Sequence, residues 1–308
     1  MKTVRGLTAI AAGAALLVLA ACGSSSNPTT PAGNGGGSSA PSDTIVVGSA
    51  NFQENVVLAD IYAEALKAKG VKVSTKLNIG SRETYIPALK DGSIDLIPEY
   101  SGVLLAYFDK NATAVSSADV YSALQKAVPT PLTVLDQSQA EDKDAIVVTK
   151  ATADKYHLTS IADLAAVDNK LTLGAPPEFQ TRADGIPGLK KFYNVVFKTF
   201  RKLDAGGPLT ENGLKNGQID AGDIFTTDPL IDQNGWVVLA DPKNLYTAQN
   251  VLPLINSKKA SDTVKSVLNA ISAKLTTNDL ISLNEKVQIN KQDPDAVAKD
   301  WLSSAGLS

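Results

Sequence analysis

The order of apolar and polar residues along the chain predicts strands that alternate with helices. Apolar residues form a short run in TIVVGS (44–49) and recur with helical spacing in NVVLADIYAEALKAKG (55–70). The same order follows in VKVSTKLNI (71–79), SRETYIPALKDG (81–92) and IDLIPEY (94–100). Strands alternating with helices of this length predict an α/β fold with mainly parallel sheets.

One stretch of this pattern occurs twice. ALKDGSIDLIPEY (88–100) returns as GLKNGQIDAGDIF (213–225), and each copy ends with an aromatic residue. Upstream of each copy, a strand is followed by the pair Phe-Gln, first in VGSANFQEN (47–55) and again in LGAPPEFQTR (173–182). The duplication predicts two similar lobes built on one plan.

Open parallel sheets bind ligands beyond the carboxyl ends of their strands, beside helix N-termini. Two facing lobes would bring these ends to one cleft. Six residues mark the predicted ends: Phe52, Ser81 and Tyr100 in the first copy, and Phe179, Gly207 and Phe225 in the second. The repeated aliphatic residues are explained by burial in each core. Aromatic residues in the same place in both copies favour a position in the cleft for Tyr100 and Phe225.

The C-terminal part of the chain is predicted to be helical. Apolar residues recur with helical spacing in residues 261–275, and 277–287 and 294–302 indicate two further helices. Residues 236–258 indicate a return pair of strands. We predict that residues 260–308 pack back on the first lobe.

The first residues of the chain indicate export. Lys2 and Arg5 precede an uncharged run that is too short to span a bilayer comfortably, and the sequence LAAC ending at Cys22 looks like a bacterial lipobox. The following Gly, Ser, Pro and Thr residues cannot form a core. We therefore predict an extracytoplasmic protein that is lipid-anchored through Cys22 to the outer face of the bacterial cell membrane. The predicted parts are a signal peptide (1–21), a lipidated cysteine with a flexible tether (22–43), a first lobe (44–144 plus 250–308) and a second lobe (145–249), with crossings near Asp144 and Asn250.

Composition excludes several classes of partner. Removal of residues 1–21 leaves 27 Lys and Arg against 32 Asp and Glu, a negative balance that disfavours nucleic acid. Cys22 is the sole cysteine of the 308 residues, so no internal disulfide can form. No Walker-type loop is present, so any ATP must be used by a partner protein.

Catalytic and metal sites are not predicted. The single histidine, His157, is too isolated for a metal site or a nucleophilic pair and is interpreted as a solvated helix end. Glu54, Glu99, Asp144 and Asp228 lie near the ends of predicted strands but lack the spacing of an acid/base pair. Asp228 lies before Pro229 and is interpreted as a helix cap. We expect no enzyme activity, no cofactor and no metal.

Several motifs together resemble one family. IVVGSANFQEN, LKDGSIDLIPEYSG, FQTRADGIPGL and IFTTDP, with the lipobox, are similar to the solute-binding lipoproteins of ABC importers for glycine betaine, carnitine and choline. The resemblance implies a bilobal, type II periplasmic-binding-protein-like fold that closes on its ligand. It also implies partnership with an ABC permease and its ATPase, and we expect a monomer.

The resemblance also implies a ligand site. In that family a tyrosine cage holds a trimethylammonium group, since such a group cannot donate hydrogen bonds and is attracted to aromatic faces. Arg182 matches a position whose guanidinium forks onto a carboxylate. With the duplicated plan, this predicts seven ligand-binding residues: Phe52, Asn55, Ser81, Tyr100, Arg182, Phe225 and Thr226.

The chain departs from the family pattern at the ligand. Ala50 replaces a common Lys, Val103 a hydroxyl or acid, and Phe225 a common tyrosine, while residues 135–148 bring no tyrosine. These departures leave room for a solute that is larger, less cationic or aromatic. A different class of function, a solute sensor or interaction protein that serves no importer, also remains open from the sequence.

Overall fold

The structure, a computed structural model, describes residues 43–308, so the predicted signal peptide and Cys22 lie outside the described residues. The described strands are β1 (Ile45–Gly48), β2 (Val73–Lys76), β3 (Leu96–Tyr100), β4 (Leu132–Val134), β5 (Asp144–Val148), β6 (Thr172–Ala175), β7 (Thr199–Lys202), β8 (Ala221–Phe225), β9 (Val237–Val238) and β10 (Val251–Asn256). The α-helices are α1 (Gln53–Ala68), α2 (Arg82–Asp91), α3 (Ser101–Phe108), α4 (Ser117–Ala127), α5 (Lys150–Tyr156), α6 (Ile186–Gly188), α7 (Pro208–Lys215), α8 (Leu230–Asn234), α9 (Asp262–Ser272), α10 (Thr277–Asn284) and α11 (Pro294–Ser304). Short 3-10 or π-helical turns cover Ile161–Ala166, Asp168–Lys170, Pro177–Gln180, Leu189–Tyr193, Ser257–Lys259 and Glu285–Ile289.

The strands form two five-stranded sheets with the same plan. Their orders are β2-β1-β3-β10-β4 and β7-β6-β8-β5-β9, and we call the parts built on them the first and the second lobe. In each sheet the first three strands are parallel, the fourth is antiparallel to both neighbours, and the fifth therefore runs with the first three. The predicted bilobal α/β fold with mainly parallel sheets is confirmed.

Local predictions hold in the first lobe and fail at one place in the second. The first strand, the two helices and the strand ending at Tyr100 are present, and α2 ends at Gly92, whose φ of 83° suits glycine. The strand pair predicted over residues 236–258 is wrong. β9 pairs with β5 in the second sheet and β10 pairs with β3 and β4 in the first, because the chain crosses between the lobes in the intervening segment.

The C-terminal helices enclose α1 on the first lobe. Twelve of the 16 residues of α1 are buried, which requires apolar cover on more than one face. Leu58, Ile61 and Tyr62 of α1 share one core cluster with Leu268 of α9 and Trp301 of α11. The apolar stripe of residues 261–275 thus completes the core of the first lobe.

The two crossings between the lobes lie side by side. The amide of Asp142 donates to the carbonyl of Gln249 at 3.2 Å, and the Gln249 side chain donates to Asp144 Oδ2 at 3.2 Å. Glu141 and Asn250 form an antiparallel bridge beside them. The two segments are therefore joined to each other by direct hydrogen bonds.

Gly102 allows the return crossing to pack against the start of α3. A Cβ at this position would lie 2.5 Å from the carbonyl oxygen of Ala248 and 2.5 Å from Thr247 Oγ1. Ser101 next to it accepts from the amide of Asn250 at 3.0 Å and donates to the Ala248 carbonyl at 3.1 Å. The backbone contact leaves no room for a larger residue.

Gly102→Ala is therefore expected to destabilise the protein by about 1–3 kcal/mol, as for other overpacked sites. Gly213→Ala is the matched control, because a Cβ there meets its neighbours at 3.5 Å inside α7, where alanine is the better helix former. Urea unfolding of both variants measures the difference. Equal stability of the two would contradict the close approach.

Candidate functional site

A cavity of about 50 Å³ lies where the carboxyl ends of strands from both sheets meet. Five of the seven predicted ligand residues line it: Phe52, Ser81, Tyr100, Arg182 and Phe225. Tyr100 ends β3, Phe225 ends β8, and Phe52 and Ser81 are the N-cap residues of α1 and α2. Both lobes contribute to the cavity, and the duplicated strand ends place its aromatic residues.

Three aromatic rings form a continuous wall of this cavity. The Phe52 ring centroid lies 6.0 Å from that of Tyr100 and 4.9 Å from that of Phe225, at interplanar angles of 34° and 45°. Phe52 and Tyr100 belong to the first lobe and Phe225 to the second. The wall therefore forms only when the two lobes are close together.

Tyr100 belongs to the core as well as to the cavity. The side chain is 5% exposed, and its hydroxyl donates to Glu54 Oε1 at 2.7 Å. Glu54 Oε2 accepts from Thr227 Oγ1 of the second lobe at 2.6 Å and from Asn284 Nδ2 at 2.7 Å. The Glu54 carboxylate thus joins the cavity wall, the second lobe and α10.

Two predicted ligand residues have structural roles instead. Asn55 is buried, accepts from the Ala50 amide at 2.7 Å and donates to the Pro98 carbonyl at 3.0 Å, which ties the ends of β1 and β3 together. Thr226 accepts from the Lys143 amide at 2.9 Å and donates to Asp142 Oδ1, so it holds a crossing segment. Neither residue lines the cavity.

Two other predictions concern single side chains near strand ends. Phe179, expected at the cleft, is buried in the core of the second lobe. Asp228 Oδ1 accepts from the Leu230 amide at 2.8 Å at the start of α8, but the N-cap residue of this helix is Pro229, so Asp228 lies one residue before the cap position predicted for it.

Arg182 makes a fork contact, but with a protein carboxylate. Its Nε and Nη2 donate to Glu83 Oε1 and Oε2 at 3.0 and 2.9 Å. Glu83 lies on α2 of the first lobe and Arg182 on the second, so the pair bridges the two lobes. Burial alone would raise the pKa of Glu83, yet the hydrogen bonds from Arg182 and Ser81 lower that pKa to about 2.

A second arginine lines the cavity and was not predicted. Arg82 donates from Nε and Nη2 to Glu99 Oε1 and Oε2, both at 2.8 Å, and Tyr85 donates to Glu99 Oε1 at 2.7 Å. Glu99 is fully buried and Arg82 is 7% exposed. The residues are 17 positions apart on different elements, so spacing gave no signal for the pair.

Three aspartates also line the cavity: Asp142, Asp144 and Asp223. Burial, with repulsion from Asp184, raises the pKa of Asp144 to about 6. Burial and the neighbouring Asp144 likewise raise the pKa of Asp223 well above its usual range. Asp223 Oδ1 has no hydrogen-bond partner within residues 43–308. From the sequence, Asp144 was predicted near a crossing and among the acidic residues near strand ends, while Asp223 was not predicted.

A second cavity of about 130 Å³ shares Phe52 and Phe225 with the first. Glu211 and Asp228 line it, and burial with mutual repulsion raises the pKa of Glu211 to about 8. It contains no arginine and neither Tyr85 nor Tyr100. The smaller cavity, with both arginines and all three rings, is therefore the candidate ligand site.

Metal chemistry finds no support in the described part of the chain. No group of three or more His, Cys, Asp or Glu side chains in residues 43–308 is arranged to hold a metal ion. His157 is exposed and caps the C-terminus of α5, as interpreted from the sequence. Among the described helices, none has the length and apolar character needed to cross a membrane.

The described part of the chain matches a known protein family. Residues 43–304 match the family described as the substrate-binding domain of the ABC-type glycine betaine transport system, OpuAC. The chain is 27% identical over 269 residues to the ergothioneine transport permease/ergothioneine binding protein EgtU of Helicobacter pylori (strain G27), a match covering 85% of this chain and 48% of that protein. This chain therefore spans about half the length of EgtU.

Two further matches cover nearly the whole of the related protein. The carnitine transport binding protein OpuCC of Listeria monocytogenes is 26% identical over 267 residues, covering 84% of this chain and 86% of OpuCC. A crystal structure of a glycine betaine/carnitine/choline ABC transporter superposes with a TM-score of 0.67 at 24% identity, covering 85% of this chain and 99% of that one. The latter similarity supports the fold.

The two arginine–glutamate pairs should differ in their contribution to stability. Glu99→Gln leaves Arg82 buried without its charge partner and is expected to reduce the free energy of unfolding by about 3–5 kcal/mol. Glu83→Gln removes the same charge from a side chain that is 44% exposed, with an expected loss below about 1 kcal/mol. Urea unfolding of the ligand-free protein tests both, and similar losses would contradict the assignment.

The ligand-free protein should lose stability as pH rises from 5 to 7. A carboxyl whose pKa is raised on folding stabilises the native state while protonated, and that stability is lost as pH rises through the folded-state pKa, about 6 for Asp144. Melting temperatures at pH 5, 6 and 7 measure the slope. Asp144→Asn should reduce the slope without removing it, because Glu211 and Asp223 also have raised pKa values. Asn at the exposed Asp300 should keep the parental slope, and a stability that rises with pH over this range would oppose the assignment.

Proposed function

Because this chain belongs to the family of substrate-binding domains of ABC-type glycine betaine transport systems, we propose that it captures a small quaternary-ammonium solute between its lobes. The proposed ligand is glycine betaine or a related or aromatic solute, which the protein delivers to an ABC-type importer. The family is one of transport proteins and not of enzymes. The ring wall of Phe52, Tyr100 and Phe225 is the observation that carries this proposal.

The chemistry of the wall suits a methylated ammonium group. Such a cation has no N–H to donate, so it gains little from carbonyl or hydroxyl groups and more from aromatic faces. Each face contributes about 0.5–2 kcal/mol, depending on desolvation. Three adjoining rings at a closed interface provide that desolvation.

Ligand capture would proceed by closure of the lobes. A ligand shifts a conformational balance only through a higher affinity for one state, and contacts from both lobes supply that difference. We propose residues 44–144 plus 250–308 as one moving body and residues 145–249 as the other. The paired crossings would form the hinge, since few residues there need to change conformation.

The relatives support the same ligand class. EgtU and OpuCC are described as binding ergothioneine and carnitine, both of which carry a trimethylammonium group. Phe225 provides a ring without a hydroxyl, so it offers a cationic group an aromatic face and no hydrogen bond. We propose that the solute is held at this ring through its methylated end.

We also propose that the mature protein is a monomeric lipoprotein on the outer face of the cell membrane, attached through Cys22 and a flexible segment up to residue 43. Labelling with a radioactive or clickable fatty acid tests this attachment. The parent should take up label and Cys22→Ala should not, while both bind ligand alike. An unlabelled parent would exclude the anchor.

Phe225→Ala should weaken binding by about 1–3 kcal/mol, or about 5- to 150-fold, since it removes one wall of the site. Calorimetry with choline, glycine betaine and carnitine measures the effect on whichever ligand the parent binds. Phe200→Ala is the control, because this ring packs on the core of the second lobe outside the cavity. The control should lose stability and keep its affinity. Parental affinity in Phe225→Ala would exclude this cavity as the site.

A further inference from the structure

Both arginines that line the cavity already hold carboxylates of the protein. Glu83 occupies the Arg182 fork with two hydrogen bonds, and Glu99 occupies the Arg82 fork with two more. Each contact uses the Nε–Nη2 edge of the guanidinium and compensates its positive charge. A ligand carboxylate would therefore gain little attraction from either arginine unless it displaced the glutamate.

The other ionisable side chains of the cavity are carboxyls that have no cationic partner. Asp142, Asp144 and Asp223 line it, and no ion pair within residues 43–308 involves any of the three. Burial and repulsion from neighbouring carboxylates raise the pKa of each of them. A ligand carboxylate would add negative charge beside groups that already resist ionisation, whereas a bound cation would favour their ionised form.

One acceptor is free to orient such a cation. Asp223 Oδ1 is buried without a hydrogen-bond partner within residues 43–308, and Asp223 lies two residues before Phe225 on β8. Buried acceptors of this kind favour a ligand that brings a donor. A hydroxyl close to a methylated ammonium group would meet the carboxylate while the methyl groups meet the rings.

We propose that this cavity selects a quaternary-ammonium cation with a hydroxyl donor, such as choline, over a zwitterionic betaine, and that Glu83 and Asp223 determine this preference. The proposal rests on the proposed function and narrows its ligand class. Glu83 acts by neutralising the charge of Arg182, and Asp223 acts by accepting the donor once a bound cation favours its ionised form.

Proton release should accompany binding of such a cation. Asp144, whose pKa burial raises to about 6, would become ionised beside a bound cation. The affinity for choline should therefore fall as pH drops below 6, by up to about tenfold per pH unit for one proton. The charged or titratable groups that act on Asp144 and Asp223 are Asp184, Arg182, Arg82, Glu178 and Tyr246.

The decisive experiment compares choline with glycine betaine by calorimetry on the parent chain at pH 7.5. The two probes share the trimethylammonium group and differ in a hydroxyl or a carboxylate. Choline should bind at least about tenfold more tightly, since like-charge contacts oppose the betaine carboxylate. Tighter binding of glycine betaine would overturn the preference while leaving the proposed function intact. Binding of neither probe would overturn the preference, and calorimetry with carnitine then tests the proposed function separately.

Two variants test whether Asp223 and Glu83 determine the preference for choline over glycine betaine. Asp223→Asn should weaken choline binding at least about tenfold and leave glycine betaine unchanged or tighter, because the buried carboxyl that ionises beside a bound cation is gone. Glu83→Gln should tighten glycine betaine by releasing the Arg182 fork. Glu83 is 44% exposed, so this variant keeps the test valid if Asp223→Asn does not fold. Asp300→Asn, at an exposed site on α11, is the charge control and should keep the parental ratio of affinities; retention of that ratio in both test variants would refute their roles.

Discussion

The carboxylate of Glu54 joins the parts of the molecule that must meet to form the site. An ionised carboxylate is costly to bury unless hydrogen bonds satisfy it, and Glu54 is 3% exposed. Its partners come from the end of β3, from the segment after β8 and from α10. The same carboxylate therefore orients Tyr100 in the cavity and ties the second lobe to the C-terminal helices of the first.

Duplication of one plan explains why the cavity lies at the interface of the lobes. Each sheet presents the carboxyl ends of its parallel strands to the other, and equivalent strands end in Tyr100 and Phe225. The antiparallel fourth strands, β5 and β10, each come directly after a crossing. Each sheet therefore contains one strand that the chain forms on arriving from the other lobe. The sheet order, the two crossings and the ring wall thus follow from one topology.

The sequence predicted the fold and the rings of the site because both depend on local order. The repeat indicated where two strands end. The positions of Tyr100 and Phe225 follow from this, because they are the last residues of those strands. The charged contacts were not predictable in this way. Arg182 meets a carboxylate 99 positions away on the other lobe, and Asn55 faces the strand ends instead of the cavity. Such pairings depend on how close the lobes come and on the direction of each side chain, which periodicity does not report.

The interlobe pair of Arg182 and Glu83 also makes the contact between the lobes sensitive to the surrounding medium. The Glu83 side chain is 44% exposed, so dissolved ions reach this contact far more readily than they reach the buried Arg82–Glu99 pair. Screening shortens the range of such an attraction from about 8 Å at physiological ionic strength to about 3 Å at 1 M. Rising salt would thus weaken one direct attraction between the lobes while leaving the buried pair within the first lobe largely intact.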